Sequence, residues 1–143
     1  MPVRIEKILI AVDDSPSAMH AADYGIHLAQ TLEAKIGIIT VTPFSSGNID
    51  AGITPEMAQT KLQILADRLL DDISITHPKV AIEEFNPIGN TANEIINIIE
   101  LWNPDLMVIG HHTHSALAKF FGLSTEIKLI SHLKKPLLIV PHN

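Results

Sequence analysis

Five short stretches of the chain are apolar at nearly every position: KILIAV (7–12), KIGIITV (35–41), VAIEEF (80–85), DLMVIG (105–110) and PLLIVP (136–141). Runs without strict alternation suit strands covered on both faces, as in a parallel sheet. The two glutamates of VAIEEF mark it as the more polar run and predict an edge strand. The segments between have helical spacing. From Ser15 to Leu32, the residues Ala18, Ala21, Ala22, Gly25 and Ala29 form a small-residue stripe that lets a helix lie close to a sheet, with Ser15 as cap and Pro16 in the first turn. From Thr54 to Thr76, the pattern predicts an amphipathic helix with Leu62, Leu65, Leu69 and Ile73 on one face and Lys61, Asp67, Arg68 and Asp71 largely on the other. Thr91-Ala92-Asn93-Glu94 has capping-box spacing ahead of Ile95, Ile98, Ile99 and Trp102, and Pro104 ends that pattern. A last helix is expected from Ser124 to about Leu133.

Strands alternating with helices imply βαβ units, and right-handed crossovers turn these into an open, doubly wound, five-stranded parallel α/β sheet of Rossmann-like type. One domain over residues 1–143 is expected, without internal repeats. The aperiodic segment SSGNIDAGITP (45–55) is read as a mobile surface loop over a ligand site. Ligands of such sheets bind beyond the carboxyl ends of the strands, which directs attention to Asp13, Asp14, Val41, Thr42, Gly89 and the segment from Gly110 onward.

Composition removes several classes of function. At 46% hydrophobic and 18% charged residues the chain is not a disordered tail. No apolar stretch approaches the roughly 20 residues of a membrane span, and the opening MPVRIEKILIAV is too short and mixed for a signal peptide, so a cytoplasmic protein without membrane insertion is expected. With no cysteine, a disulfide framework, a thiolate zinc site and thiol redox chemistry are excluded. A net charge of −6 argues against a nucleic-acid partner.

The sharpest local question is KILIAVDDSP (7–16), an apolar strand ending in two carboxylates. A two-component receiver domain opens this way, but it needs a further Asp after the third strand, where this chain reads NPIGN. It also needs Lys-Pro after its last strand, whereas Lys135-Pro136 precedes PLLIVP, which sets it roughly 17 to 20 Å away. A second reading is local: Asp14 and Ser15 cap the following helix. A third comes from order and spacing along the chain: Val12-Asp13-Asp14-Ser15, then Gly89, then Asp105 to Gly110, then the closing strand 135–140. In these features the chain resembles the universal stress protein family. The resemblance implies the strand order 3-2-1-4-5 of adenine nucleotide alpha hydrolase-like folds, and a cytoplasmic homodimer joined through the last strands, here Leu137 to Val140. It further implies binding and regulation in the stress response, through a protein partner the sequence does not name, rather than catalysis.

Nucleotide-binding members of that family carry Gly, two residues, Gly, nine residues, then Gly-Ser or Gly-Thr. Glycines admit phosphates close to backbone amides, and a helix N-terminus adds donors. Here the positions read Gly110, Thr113, Leu123 and Ser124, with Gly122 one residue early. This degenerate loop, with Gly110-His111-His112, resembles the universal stress protein A type, in which the glycines are lost. ATP or ADP with magnesium, or no cofactor at all, therefore both remain open, as does a nucleotide-independent or chaperone-like interaction role. If a nucleotide binds, the resemblance assigns Ala11, Val12 and Asp13 to the adenosine end, Val41 to the adenine face, and Gly110, Thr113, Ser124 and Thr125 to the phosphates. His111, His112 and His114 lie close in sequence but lack a visible fourth ligand, so no metal site is assigned. Ser15 has no evident His base and is read as a cap, not a nucleophile.

Overall fold

The computed structural model describes residues 3–111 and 131–141. Its elements are β1 (Lys7–Ala11), α1 (Pro16–Leu32), β2 (Lys35–Ile39), a 3-10 turn (Ile49–Ala51), α2 (Pro55–Thr76), β3 (Ile82–Phe85), α3 (Thr91–Trp102), β4 (Leu106–His111) and β5 (Leu137–Pro141). The strands form one five-stranded sheet in the order β3-β2-β1-β4-β5, and each neighbouring pair is parallel. The expected architecture and strand order are thus observed. The C-terminal helix expected from Ser124 lies outside the described residues apart from 131–132, which are helical.

Alternation along β1 divides the core into two layers. Ile8 and Ile10 pack with α1 and with Leu70 and Ile73 of α2 on one face. Leu9 and Ala11 pack with Ile95 and Ile99 of α3 on the other. The small-residue stripe of α1 is buried throughout, and a Cβ at Gly25 would come within 2.7 Å of Ile10 Cδ1. That close approach is why the residue facing β1 here carries no side chain.

Edge strand β3 explains its own polarity. Its glutamates point to opposite faces: Glu83 accepts a hydrogen bond from Trp102 Nε1 at 2.8 Å, and Glu84 accepts one from Ser74 Oγ at 2.9 Å. Each carboxylate fastens a helix and keeps charge on an edge that would otherwise invite pairing. At the opposite end of the strands, Asp105 Oδ2 accepts from the amides of Glu6 (2.8 Å) and Lys7 (3.1 Å), while Lys7 Nζ donates to the Trp102 carbonyl at 2.9 Å. The cation thereby sits at the C-terminal end of α3, where the helix dipole favours it.

Two local expectations change. The cap of α3 is Asn90, whose side chain accepts from Asn93 N at 3.1 Å, because Thr91 already has helical backbone. Glu94 is then one position too far along for a capping box and lies instead against Gly89. In α2 the buried positions are Ala66, Leu70 and Ile73, whereas Leu65 is half exposed. The buried stripe is rotated from the one that the leucines mark.

Candidate functional site

The carboxyl ends of β1 and β2 diverge from α2 and leave a cleft of about 230 Å³. Asp13, Asp14, Thr40, Val41, Thr42 and Pro43 line it from the sheet, and Leu62, Leu65, Ala66 and Leu69 of α2 line it from the other side. The two carboxylates that the sequence puts side by side differ in burial. Asp13 is buried at 2% exposure, and Asp14 is exposed. Both side chains line the same cleft, but only Asp13 is withdrawn from solvent.

Asp13 has a divided role. Its Oδ1 accepts from the Ser15 amide at 2.9 Å, which fixes the turn into α1. Its Oδ2 is buried and has no hydrogen-bond partner among the described residues. Nearly all buried polar atoms are paired, so such an oxygen is placed to accept from a further donor. Ser15 is the N-cap, accepting from Ala18 N at 3.1 Å, and Pro16 opens the helix as expected. The cap is therefore built from Ser15 backed by Asp13; Asp14 takes no part in it.

The cleft wall on the β2 side is held from two directions. Thr42 Oγ1 donates to Asn86 Oδ1 at 2.8 Å, Thr42 N donates to the Pro87 carbonyl, and Gly89 N donates to the Thr42 carbonyl. These bonds extend the β2–β3 alignment past the end of the sheet. From α2, Gln59 donates through Nε2 to the Pro43 carbonyl at 3.2 Å and accepts through Oε1 from Ser45 N at 3.0 Å. The segment 45–55 thus has structure of its own: Asn48 and Ile53 exchange two backbone hydrogen bonds around the 3-10 turn.

Among the expected contact residues, Asp13 and Val41 line the cleft together. Ala11 and Val12 do not; their side chains belong to the two core layers. Gly110 lies at the end of β4, where a Cβ would fall 2.7 Å from the Ser17 carbonyl oxygen. It allows β4 to approach the first turn of α1, so packing alone requires a glycine there. Thr113, Ser124 and Thr125 lie outside the described residues, as do His112 and His114. Sequence pattern shows the leucine spacing of the α2 wall but does not mark those residues as site residues; Gln59 carries no signal, because a lone glutamine in a helix has nothing to distinguish it.

Comparison with known proteins agrees with this architecture. The family model described as "Universal stress protein family" matches residues 4–141. Universal stress protein A of Salmonella typhi is 27% identical over 138 residues, covering 94% of this chain and 92% of that protein. Among solved structures, the universal stress protein UspA from Lactobacillus plantarum aligns with a TM-score of 0.81 at 16% identity, covering 97% of this chain and 99% of that one. A universal stress protein from Archaeoglobus fulgidus, solved in complex with dAMP, aligns with a TM-score of 0.68 at 15% identity over 97% and 99% of the two chains. The sheet order, the capped turn after β1 and a family match over nearly the whole length lead to one conclusion: the chain belongs to the universal stress protein family.

Proposed function

We propose that the protein binds an adenine nucleotide, ATP or ADP in the first instance, in the cleft between β2 and α2, and acts as a cytoplasmic regulatory binding protein in the stress response. The observation that carries this reading is Asp13 Oδ2, a buried carboxylate oxygen without a donor among the described residues, on a residue lining an otherwise largely apolar cleft. A nucleoside offers the complement: a flat ring for Val41, Leu62 and Leu69, and ribose hydroxyls or base N–H groups to donate to Asp13. The dAMP complex of the Archaeoglobus fulgidus relative supports the ligand class. By the family resemblance Gly110, Thr113, Ser124 and Thr125 are the residues proposed to meet the phosphates, with magnesium accompanying a triphosphate. Binding, rather than turnover, is the proposed role, since among the described residues no side chain in the cleft presents a base paired with a nucleophile.

The test is mass spectrometry of co-purified nucleotide together with calorimetric titration of ATP, ADP and AMP. Asp13→Asn is the informative variant, because Asn keeps the Oδ1 acceptor for Ser15 N and replaces Oδ2 with an amide donor. A ligand hydrogen bond to a charged acceptor contributes about 1.5–3 kcal/mol, so affinity is expected to fall roughly 10- to 150-fold while the fold is retained. No co-purified nucleotide and no heat with the unaltered protein would overturn the reading.

A second reading, a nucleotide-independent interaction protein, draws on Gly110. Its contact with Ser17 explains the glycine without any phosphate. On either reading the active form is proposed to be a homodimer paired through β5. This strand lies at the sheet edge with Leu137 and Leu138 half-buried, and its exposed Ile139 lacks the charge that usually protects an edge.

A further inference from the structure

Helix α2 buries Ala66, Leu70 and Ile73, yet its outward face is not uniformly polar. Met57, Lys61, Ile64, Arg68, Asp71 and Ile75 follow one another at alternating spacings of four and three residues, the period of a helix–helix seam. All six are exposed, and the apolar members are large: Met57 at 57%, Ile64 at 48% and Ile75 at 74%. An open groove of about 600 Å³ runs along Met57, Lys61, Ile64 and Arg68. Arg68 stands three residues before Asp71 and Lys61 ten before it, but none of these charges forms an ion pair among the described residues.

The seam is complementary to its own reversal. Read inward from both ends about Ala66, Met57 meets Ile75, Lys61 meets Asp71, and Ile64 meets Arg68. The first match is apolar and the second joins opposite charges; in the third, the aliphatic stem of arginine covers isoleucine while its head stays in water. A reversal of this kind is what a two-fold axis perpendicular to the helix produces, with residue i contacting j and j contacting i. We infer that a second copy of this chain docks on α2, the two helices running antiparallel. One pair of 22-residue helices, each about 33 Å long, buries less than the roughly 1,200–2,000 Å² of a stable interface, so the contact is weak and concentration-dependent. Strand β5 lies at the sheet edge opposite β3, and α2 leads into β3, so this contact leaves β5 free and builds assemblies larger than a dimer.

The natural chain has no cysteine, which makes cross-linking decisive. Under mild oxidation, Lys61→Cys protein mixed with Asp71→Cys protein is expected to form disulfide-linked dimers, and either variant alone is not. In the antiparallel pair, identical positions five residues from the axis stand about 15 Å apart, beyond the ~7 Å Cα limit of a disulfide. In sedimentation velocity over a concentration series, Ile64→Glu should weaken association at least fivefold. Lys61→Asp should weaken it as well, and the double variant Lys61→Asp/Asp71→Lys should restore it. Equal cross-linking in all three cysteine samples, or association indifferent to Ile64→Glu, would overturn self-pairing and leave the stripe to a different protein. These readouts concern assembly beyond the β5 pair and do not depend on nucleotide binding.

Discussion

Asp13 and Gly110 each serve two demands at one position. Asp13 holds the Ser15 amide with one oxygen and leaves the other without a partner among the described residues. Its charge also stands at the positive end of α1, so Asp13→Asn is expected to cost only about 0.3–1 kcal/mol of stability in thermal or denaturant unfolding. Asp13→Ala removes the Ser15 acceptor as well and should cost more; equal losses would show that the Oδ1 contact contributes nothing. At Gly110 the constraint is the Ser17 carbonyl, 2.7 Å from a would-be Cβ. Gly110→Ala is therefore expected to destabilise by about 1–3 kcal/mol through overpacking, with or without nucleotide present. A variant as stable as the parent would return this glycine to a role in ligand access alone. The sequence offered both residues as candidates, but the division of labour between the two oxygens depends on how the turn after β1 packs.

At the scale of elements, α2 shows how a helical pattern can mislead about burial. Leu62, Leu65, Leu69 and Ile73 look like one stripe, yet Leu65 borders both the cleft and the outer groove, and Leu70 sits in the core at 3% exposure. Leu70→Ala is expected to cost about 2–5 kcal/mol in denaturant unfolding. Leu65→Ala should cost well under half of that while still altering the cleft. Comparable losses at the two positions would contradict the observed rotation of the helix. Gln59 couples α2 to the loop after β2 through two hydrogen bonds. In hydrogen exchange, Gln59→Ala should speed exchange at the Ser45 amide, whose acceptor it removes, and leave the amides of β1 unchanged. The α3 cap is the complementary case: Asn90 and Thr91 both have suitable side chains, and only backbone conformation decides which one caps.

At the scale of the whole molecule, the question is what the sheet edges do. β3 carries paired glutamates, whereas β5 presents Ile139 at 39% exposure. Ile139→Lys should convert the proposed β5 dimer to monomer in sedimentation at micromolar concentration, since a charge in an edge strand opposes strand addition. A dimer unaffected by this change would move the interface elsewhere. The alternation of apolar runs with helical stripes was enough to determine five parallel strands, because covered strands must be apolar on both faces and crossovers have one hand. Strand order and family followed from Asp13, Gly89, Asp105 and Gly110 taken together in their order and spacing, no one of which is decisive alone. Tertiary structure alone decided that Asp13 is buried while its neighbour Asp14 is not, that α2 supplies the far wall of the cleft, and that Met57, Ile64 and Ile75 stay exposed on its outer face. Periodicity states which residues share a helix face, but the rotation of that helix against the sheet is set by close packing among residues far apart in the chain, and no local pattern encodes it.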